Sequence, residues 1–219
     1  MDTPSHRGLF VVFEGLDRSG KSTQSARLVR NLKDQGHQVR HISFPDRTTP
    51  IGQMINSYLK GQSQQEDHVI HLLFSANRWE AAESISHDIA SGTTIVCDRY
   101  YYSGCVYSAA KENPSLSLEW ARRPEEGLPR PDVCLFLDIS PEKAAERGGF
   151  GHERYEQSEM QKRVRELFLR LRSSPDENDF VTVDAGQPAD VVEKEVLQIV
   201  VKTRESIDAH RSSLRSVHA

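Results

Sequence analysis

The chain is short of cysteine, of long apolar runs and of excess positive charge, and each shortage excludes a class of protein. Its three cysteines, Cys97, Cys105 and Cys134, are odd in number and include no CxxC pair. A disulfide framework is therefore not expected, and a reducing compartment is the default. Cys97 and Cys134 lie inside apolar runs and read as core packing. No stretch is long and apolar enough to span a membrane. The opening MDTPSHRG lacks the apolar segment of a secretory signal. No membrane partner is expected, and the expected location is the cytoplasm, with the nucleus as an addition. With 28 Lys and Arg against 32 Asp and Glu, the formal charge is −4. That is not the basic footprint of a dedicated nucleic-acid binder, so no nucleic-acid partner is expected. There is no internal repeat, low-complexity linker or second domain. One domain over 1–219 is expected, with a core at about 7–207 and a polar tail at 208–219 that should fray.

What is present is an alternation of short apolar runs and helical patterns. LFVVF (9–13), QVRHISF (38–44), TTIVCD (93–98), DVCLFLD (132–138) and DFVTVD (179–184) read as five strands. Helices are expected over 21–35, 51–60, 66–91, 100–111, 157–172 and 188–206, and Pro141 sits where another could start. RRPEEGLPRP (122–131) holds three prolines and reads as a loop. The glycine-rich 148–155 reads as a mobile loop. The fold class this implies is α/β, a five-stranded parallel sheet covered by helices on both faces in three layers. Ligands in such folds bind beyond the carboxyl ends of the strands, where the motifs below lie.

Gly15-Leu16-Asp17-Arg18-Ser19-Gly20-Lys21-Ser22 matches GxxxxGK[ST] between a strand and a helix. Glycines let the backbone wrap phosphate oxygens at a helix start, where N–H groups and the helix dipole favour an anion. Lys21 is expected at the β- and γ-phosphates and Ser22 on Mg²⁺. Arg18 could stabilise charge on the transferring group as an internal arginine finger. Asp17 would repel phosphate and must point away, either to a ligand hydroxyl or to the turn backbone. No NKxD guanine signature is present, which weakens a GTPase reading.

Further clusters join arginine to aromatic residues: Phe44-Pro45-Asp46-Arg47, Phe74 to Trp79 with Arg78, and Asp98-Arg99-Tyr100. A guanidinium can bind phosphate bidentately and an aromatic face can stack on a base. Phe74 and Arg78 are four apart and share a helix face. Each also has a plain reading: Phe74 as core, Arg47 and Arg78 as solvated charge, Asp98 as a cap or as the carboxylate on the magnesium side. His68 and His71 share a face without a third ligand and read as structural or solvated.

The succession EGLDRSGKST, FPDRTTPIG, EDHVIHLLFSANRW, DRYYYSG and RGGFGHERYE, covering roughly 7–200, resembles the eukaryotic-type thymidylate kinases of the P-loop nucleoside monophosphate kinase family. The resemblance implies phosphoryl transfer from ATP to dTMP, giving dTDP and ADP on the way to dTTP for DNA replication. It implies that Gly15 to Ser22, with Thr23 and Arg147, bind ATP, Arg147 lying over adenine. Phe74 would stack on thymine and Arg78 would bond its carbonyl edge. Arg47 and Arg99 would hold the dTMP phosphate, and Asp17 would accept the 3′-hydroxyl. Tyr107 would fill the place of a 2′-hydroxyl, with Ser103, Gly104 and Phe44 lining the pocket. Tyr155 and Gln161 would reach the site on closure of a lid at 148–157. Catalysis would rest on Arg18, Lys21, Asp17, Asp98 and Arg99, and Mg²⁺ on Ser22 and, through water, Asp98. A homodimer through the helices at 51–91 is also implied. Tyr107 stands where phenylalanine is common, which bears on selectivity. The rival readings are a thymidine-type deoxynucleoside kinase, which would not need both Arg47 and Arg99, and a nucleotide-switch module.

Overall fold

The structure, a computed structural model, describes residues 6–147, 153–173 and 179–218. At its centre β1 (Phe10–Gly15) lies between β3 (Thr94–Asp98) and β5 (Val133–Asp138), with β2 (Val39–Ser43) and β6 (Phe180–Asp184) at the edges. All neighbours in this sheet are parallel. The inner strands read as near-continuous apolar runs because both their faces are covered. The edge strands VRHIS and FVTVD are mostly half-buried or exposed instead.

Helices α1 (Lys21–Asp34) and α8 (Ala189–His210) cover one face, where Leu28, Leu32, Val192, Val196 and Val200 meet Val11 and Phe13. The opposite face packs Ile85 and Ile89 of α3 (Asp67–Ala90), Val106 of α4 (Tyr101–Ala109) and Val164 and Phe168 of α7 (Ser158–Arg172) against Phe10 and Val12. α2 (Pro50–Leu59) lies along α3, capped by Thr49 Oγ1, which accepts from the Gly52 N–H at 3.0 Å. Gly52 has no substitute: a Cβ there would lie 1.7 Å from the Asp46 carbonyl oxygen. Cys97 and Cys134 are buried in the core. Among the described residues no helix is long and apolar enough to cross a membrane.

The five expected strands and the six expected helices are present with small shifts at their ends, and Pro141 does begin α6 (Pro141–Glu146). Two expectations need correction. The segment 122–131 is more ordered than its prolines suggest. It follows α5 (Leu118–Arg122), makes a 3-10 turn over Arg123–Glu125 and ends in β4 (Pro129–Arg130). Nor does the tail fray. α8 continues to His210, and β7 (Arg215–Ser216) pairs antiparallel with β4. Val217 is buried in the core, and Arg215 Nη2 donates at 2.6 Å to the buried Asp179, which Arg130 Nε also reaches at 2.6 Å. Two apolar side chains, the buried Val217 and the half-buried Leu214, together with a buried carboxylate outweigh the polarity of the rest. The glycines of the expected lid, 148, 149 and 151, lie outside the described residues.

Val217→Ala should therefore lower unfolding stability by about 2 kcal/mol, from two lost methyl groups and the space they leave. Urea denaturation checks this; a wild-type midpoint would mean that the tail does not dock.

Candidate active site

The loop after β1 turns into α1 at Gly20, whose φ of 97° is open to glycine, and no side chain caps the helix. Its first-turn N–H groups are thus left for an anion. Lys21 folds back under the loop, donating to the carbonyl oxygens of Leu16 at 2.6 Å and Gly15 at 3.2 Å. Burial, then the nearby Arg99 charge, pull its ammonium down to about 8. Leu16 contributes backbone only, since its side chain belongs to the core.

Arg18 and Arg99 both take left-handed φ values, 65° and 67°. Side chains other than glycine rarely hold that conformation, and it gathers at functional positions. Arg99 is directed by Glu14, a fully buried carboxylate at the end of β1. Glu14 accepts from the N–H groups of Tyr100 at 2.9 Å and Ser103 at 3.0 Å and from Ser103 Oγ at 2.5 Å. It thereby caps α4 from another strand and seats Arg99, which donates to the Gly15 carbonyl at 3.3 Å and to Ser103 Oγ at 3.0 Å. Burial raises the Glu14 carboxyl, with Arg99 opposing.

Asp17 does point away from the phosphate cradle, toward Arg99, Tyr107 and Gln161. It pairs with Arg99 and accepts from the Tyr107 hydroxyl at 3.1 Å and Gln161 Nε2 at 2.7 Å. Burial pushes its carboxyl up, but the charges of Arg99 and Lys21 outweigh that and hold it below the usual range. Other cations are paired in the same way. Arg47 meets Glu153 at 2.8 Å, and Arg18 lies 3.6 Å from Glu156. Arg78 is 2% exposed and is gripped by Glu125 through Nε at 2.8 Å and through Nη2. It is thus neither a solvated charge nor a freely moving one.

These side chains surround two cavities. The first, about 350 Å³, is lined by Phe44, Arg47, Phe74, Arg78, Arg99, Ser103, Gly104, Tyr107 and Tyr155, with Asp17 and Asp98. The second, about 510 Å³, is lined by Ser19, Gly20, Thr23 and Arg147. Arg18, Lys21 and Ser22 line both. Arg147 is held by the Arg18 and Ala185 carbonyls at 3.1 and 2.5 Å. Gln161 lines neither; it sits behind Asp17, also accepting from the Asp17 N–H at 3.2 Å. Ser22 Oγ donates to Asp98 Oδ2 at 2.5 Å, and Asp98 Oδ1 is buried with no hydrogen-bond partner among the described residues. A hydroxyl and a carboxylate oxygen so placed fit a hard divalent cation. His71 is buried against Ser108 Oγ at 2.8 Å, and burial pulls it down to about 4; His68 bonds Glu66.

The family model for thymidylate kinase matches residues 13–196. The chain belongs to the thymidylate kinase family. Its curated relatives include the thymidylate kinase of Arabidopsis thaliana, 49% identical over 89% of this chain and 72% of that one. That of Schizosaccharomyces pombe is 46% identical over 93% and 97%, and that of Homo sapiens 45% identical over 88% and 89%. A solved structure of thymidylate kinase from Candida albicans superposes with a TM-score of 0.84 at 35% identity, covering 97% of this chain and 99% of the other. The chain is thus a kinase that phosphorylates dTMP, and the nucleoside-kinase and switch readings fall away.

Glu14, Glu125 and Asn77 escaped the sequence reading. Asn77 pins the loop that carries Arg47, accepting from the Asp46 N–H at 2.7 Å and donating to its carbonyl at 3.2 Å. The one signal for Glu14 was a carboxylate closing an apolar strand.

An ammonium at about 8 is partly neutral in the free enzyme above that pH, and a bound polyanion favours its charged form. ATP binding at pH 8.5 should therefore take up about half a proton or more, falling toward zero at pH 6.5. Calorimetry in buffers of different ionisation enthalpy measures this, and Lys21→Arg should abolish it. No uptake in the wild-type enzyme would remove Lys21 from the binding equilibrium.

Proposed function

We propose that the γ-phosphoryl group of ATP passes to the dTMP phosphate at the junction of the two cavities. The observation that supports this is that a cavity rich in arginine and aromatic residues and a cavity along the phosphate loop share Arg18, Lys21 and Ser22. ATP occupies the loop side, with Gly15 to Thr23 around its phosphates and Arg147 against adenine. dTMP occupies the other. Phe74 stacks on thymine, Arg78 donates to its carbonyl edge, Arg47 and Arg99 bind its phosphate, and Asp17 accepts the 3′-hydroxyl. Tyr107, held by Asp17, fills the place of a 2′-hydroxyl.

Two anions must be brought together, so positioning and charge stabilisation carry the catalysis. Ligand-free, the acceptor arginines are engaged by Asp17 and Glu153; the incoming phosphate takes over from Glu153 at Arg47 and adds to Asp17 at Arg99. The dTMP phosphate oxygen is already a nucleophile, and no general base is required. Arg18 and Lys21 hold charge developing on the transferred group. Mg²⁺, held by Ser22 and through water by Asp98, would neutralise charge on the phosphate oxygens.

The whole chain acts as one domain, in the cytoplasm or nucleus. It works as a homodimer through α2 and α3. In support, Met54 on α2 and Val69, Leu72 and Trp79 on α3 are large apolar side chains left between 43% and 49% exposed.

Arg18→Ala should lower kcat by roughly 10²-fold or more with little change in KM for dTMP. Near-normal turnover would remove Arg18 from catalysis. A coupled ADP-release assay offering dTMP, dUMP, UMP and thymidine in parallel tests the acceptor site. Turnover should be greatest with dTMP and lowest with UMP and thymidine. Equal turnover of UMP would overturn the role of Tyr107.

A further inference from the structure

Arg78 can read a base only if its guanidinium is held still, and three features of the fold hold it. Glu125 engages its Nε and Nη2, which leaves Nη1 outside the bidentate pair, and Arg78 lines the first cavity. Gly104 makes the room: a Cβ there would lie 2.6 Å from Arg78 Nη2. Glu125 is itself fully buried on a 3-10 turn that is clamped from two sides. From α3, Trp79 Nε1 and Ser75 Oγ donate to the carbonyl of the preceding Pro124 at 2.8 and 3.1 Å. From the C-terminus, the carbonyl of Val217 accepts from Gly127 N–H, and the Val217 N–H donates to the Leu128 carbonyl, both at 2.9 Å. The carboxylate therefore cannot follow the guanidinium if the latter turns.

A guanidinium carries donors and no acceptor. Held rigidly at a base edge, it favours a carbonyl oxygen, as in thymine or uracil, and rejects the exocyclic amine of cytosine, which would set donor against donor. We propose that Glu125 is a positioning residue that sets pyrimidine selectivity by orienting Arg78, with the C-terminal strand as its brace. The inference rests on the reading of Arg78 as the residue that bonds the base.

The test compares Glu125→Gln, Glu125→Asp and Arg78→Gln in the full-length enzyme, measuring kcat and KM for dTMP, dUMP and dCMP at saturating ATP, and KM for ATP. Glu125→Gln keeps side-chain volume but loses the charge and one acceptor. Its KM for dTMP should rise roughly tenfold, the size of one charge-assisted hydrogen bond, with kcat within about threefold of wild type. The preference for dTMP over dCMP should fall by a similar factor, and KM for ATP should not move. Glu125→Asp keeps the buried charge but draws the carboxylate back by one methylene, so it should lose less of the same preference. A wild-type dTMP-to-dCMP ratio in both variants overturns the proposal, as does that ratio in Glu125→Asp alone where Glu125→Gln does not fold. A loss shared equally by dTMP, dCMP and ATP also overturns it, because that is what a purely structural role would give. Arg78→Gln separates the two levels. If it keeps the base ratio, the role of Arg78 fails and the inference fails with it. If it loses the ratio while both Glu125 variants keep it, only the role of Glu125 fails.

Discussion

A carboxylate buried at the end of the central strand organises the active site. Glu14 sits where the sheet is fully covered, and an uncompensated charge there would be costly. That cost is offset in part by the N–H groups of Tyr100 and Ser103, by the Ser103 hydroxyl and by the charge of Arg99. That requirement ties the start of α4 to the end of β1. It brings Arg99 beside the phosphate loop, with its backbone in the left-handed region. Asp17 is then drawn toward Arg99 and away from the phosphate cradle, and Tyr107 and Gln161 follow by hydrogen bonding to Asp17. Each step follows from the need to satisfy a polar group that burial would otherwise penalise.

The same logic recurs around the first cavity. Positive charges gathered in a partly buried site would repel one another, and carboxylates lie against them: Asp17 on Arg99, Glu153 on Arg47, Glu156 near Arg18. Lys21 donates to carbonyl oxygens, and burial, then the Arg99 charge, lower its ammonium. Arg78 differs. Its partner Glu125 is fully buried and its own exposure is 2%, so that pair is part of the framework and not a displaceable contact.

The fold was largely legible because its signals are local. Apolar runs such as LFVVF and DVCLFLD suit strands covered on both faces, and Gly15 to Ser22 carries its chemistry within a few residues. Many of the residues lining the first cavity had been singled out for their types and for an order along the chain that resembles one family, whereas Leu59, Ser108, Glu153 and Glu156 carried no local signal and Gln161 lies outside it. The failures share a cause. The 122–131 segment looked irregular because its prolines speak only for themselves, whereas its order comes from β7 and from Trp79. The tail looked free because Leu214 and Val217 are isolated apolar residues in a polar stretch, and nothing local says that core positions await them.

The sequence by itself determined the element types, the parallel α/β plan and the glycine-rich phosphate loop between β1 and α1. Periodicity, glycine placement and residue chemistry act over a few positions and need no partner to be read. Only the tertiary structure decided which carboxylate serves which cation. Glu14 caps a helix 86 residues further on, Glu125 holds an arginine 47 residues before it, and Gln161 stands behind Asp17 and outside the cavity. Such pairings are set by the cost of burying charge at one point in space, and the chain can meet that cost from any segment that packing brings there.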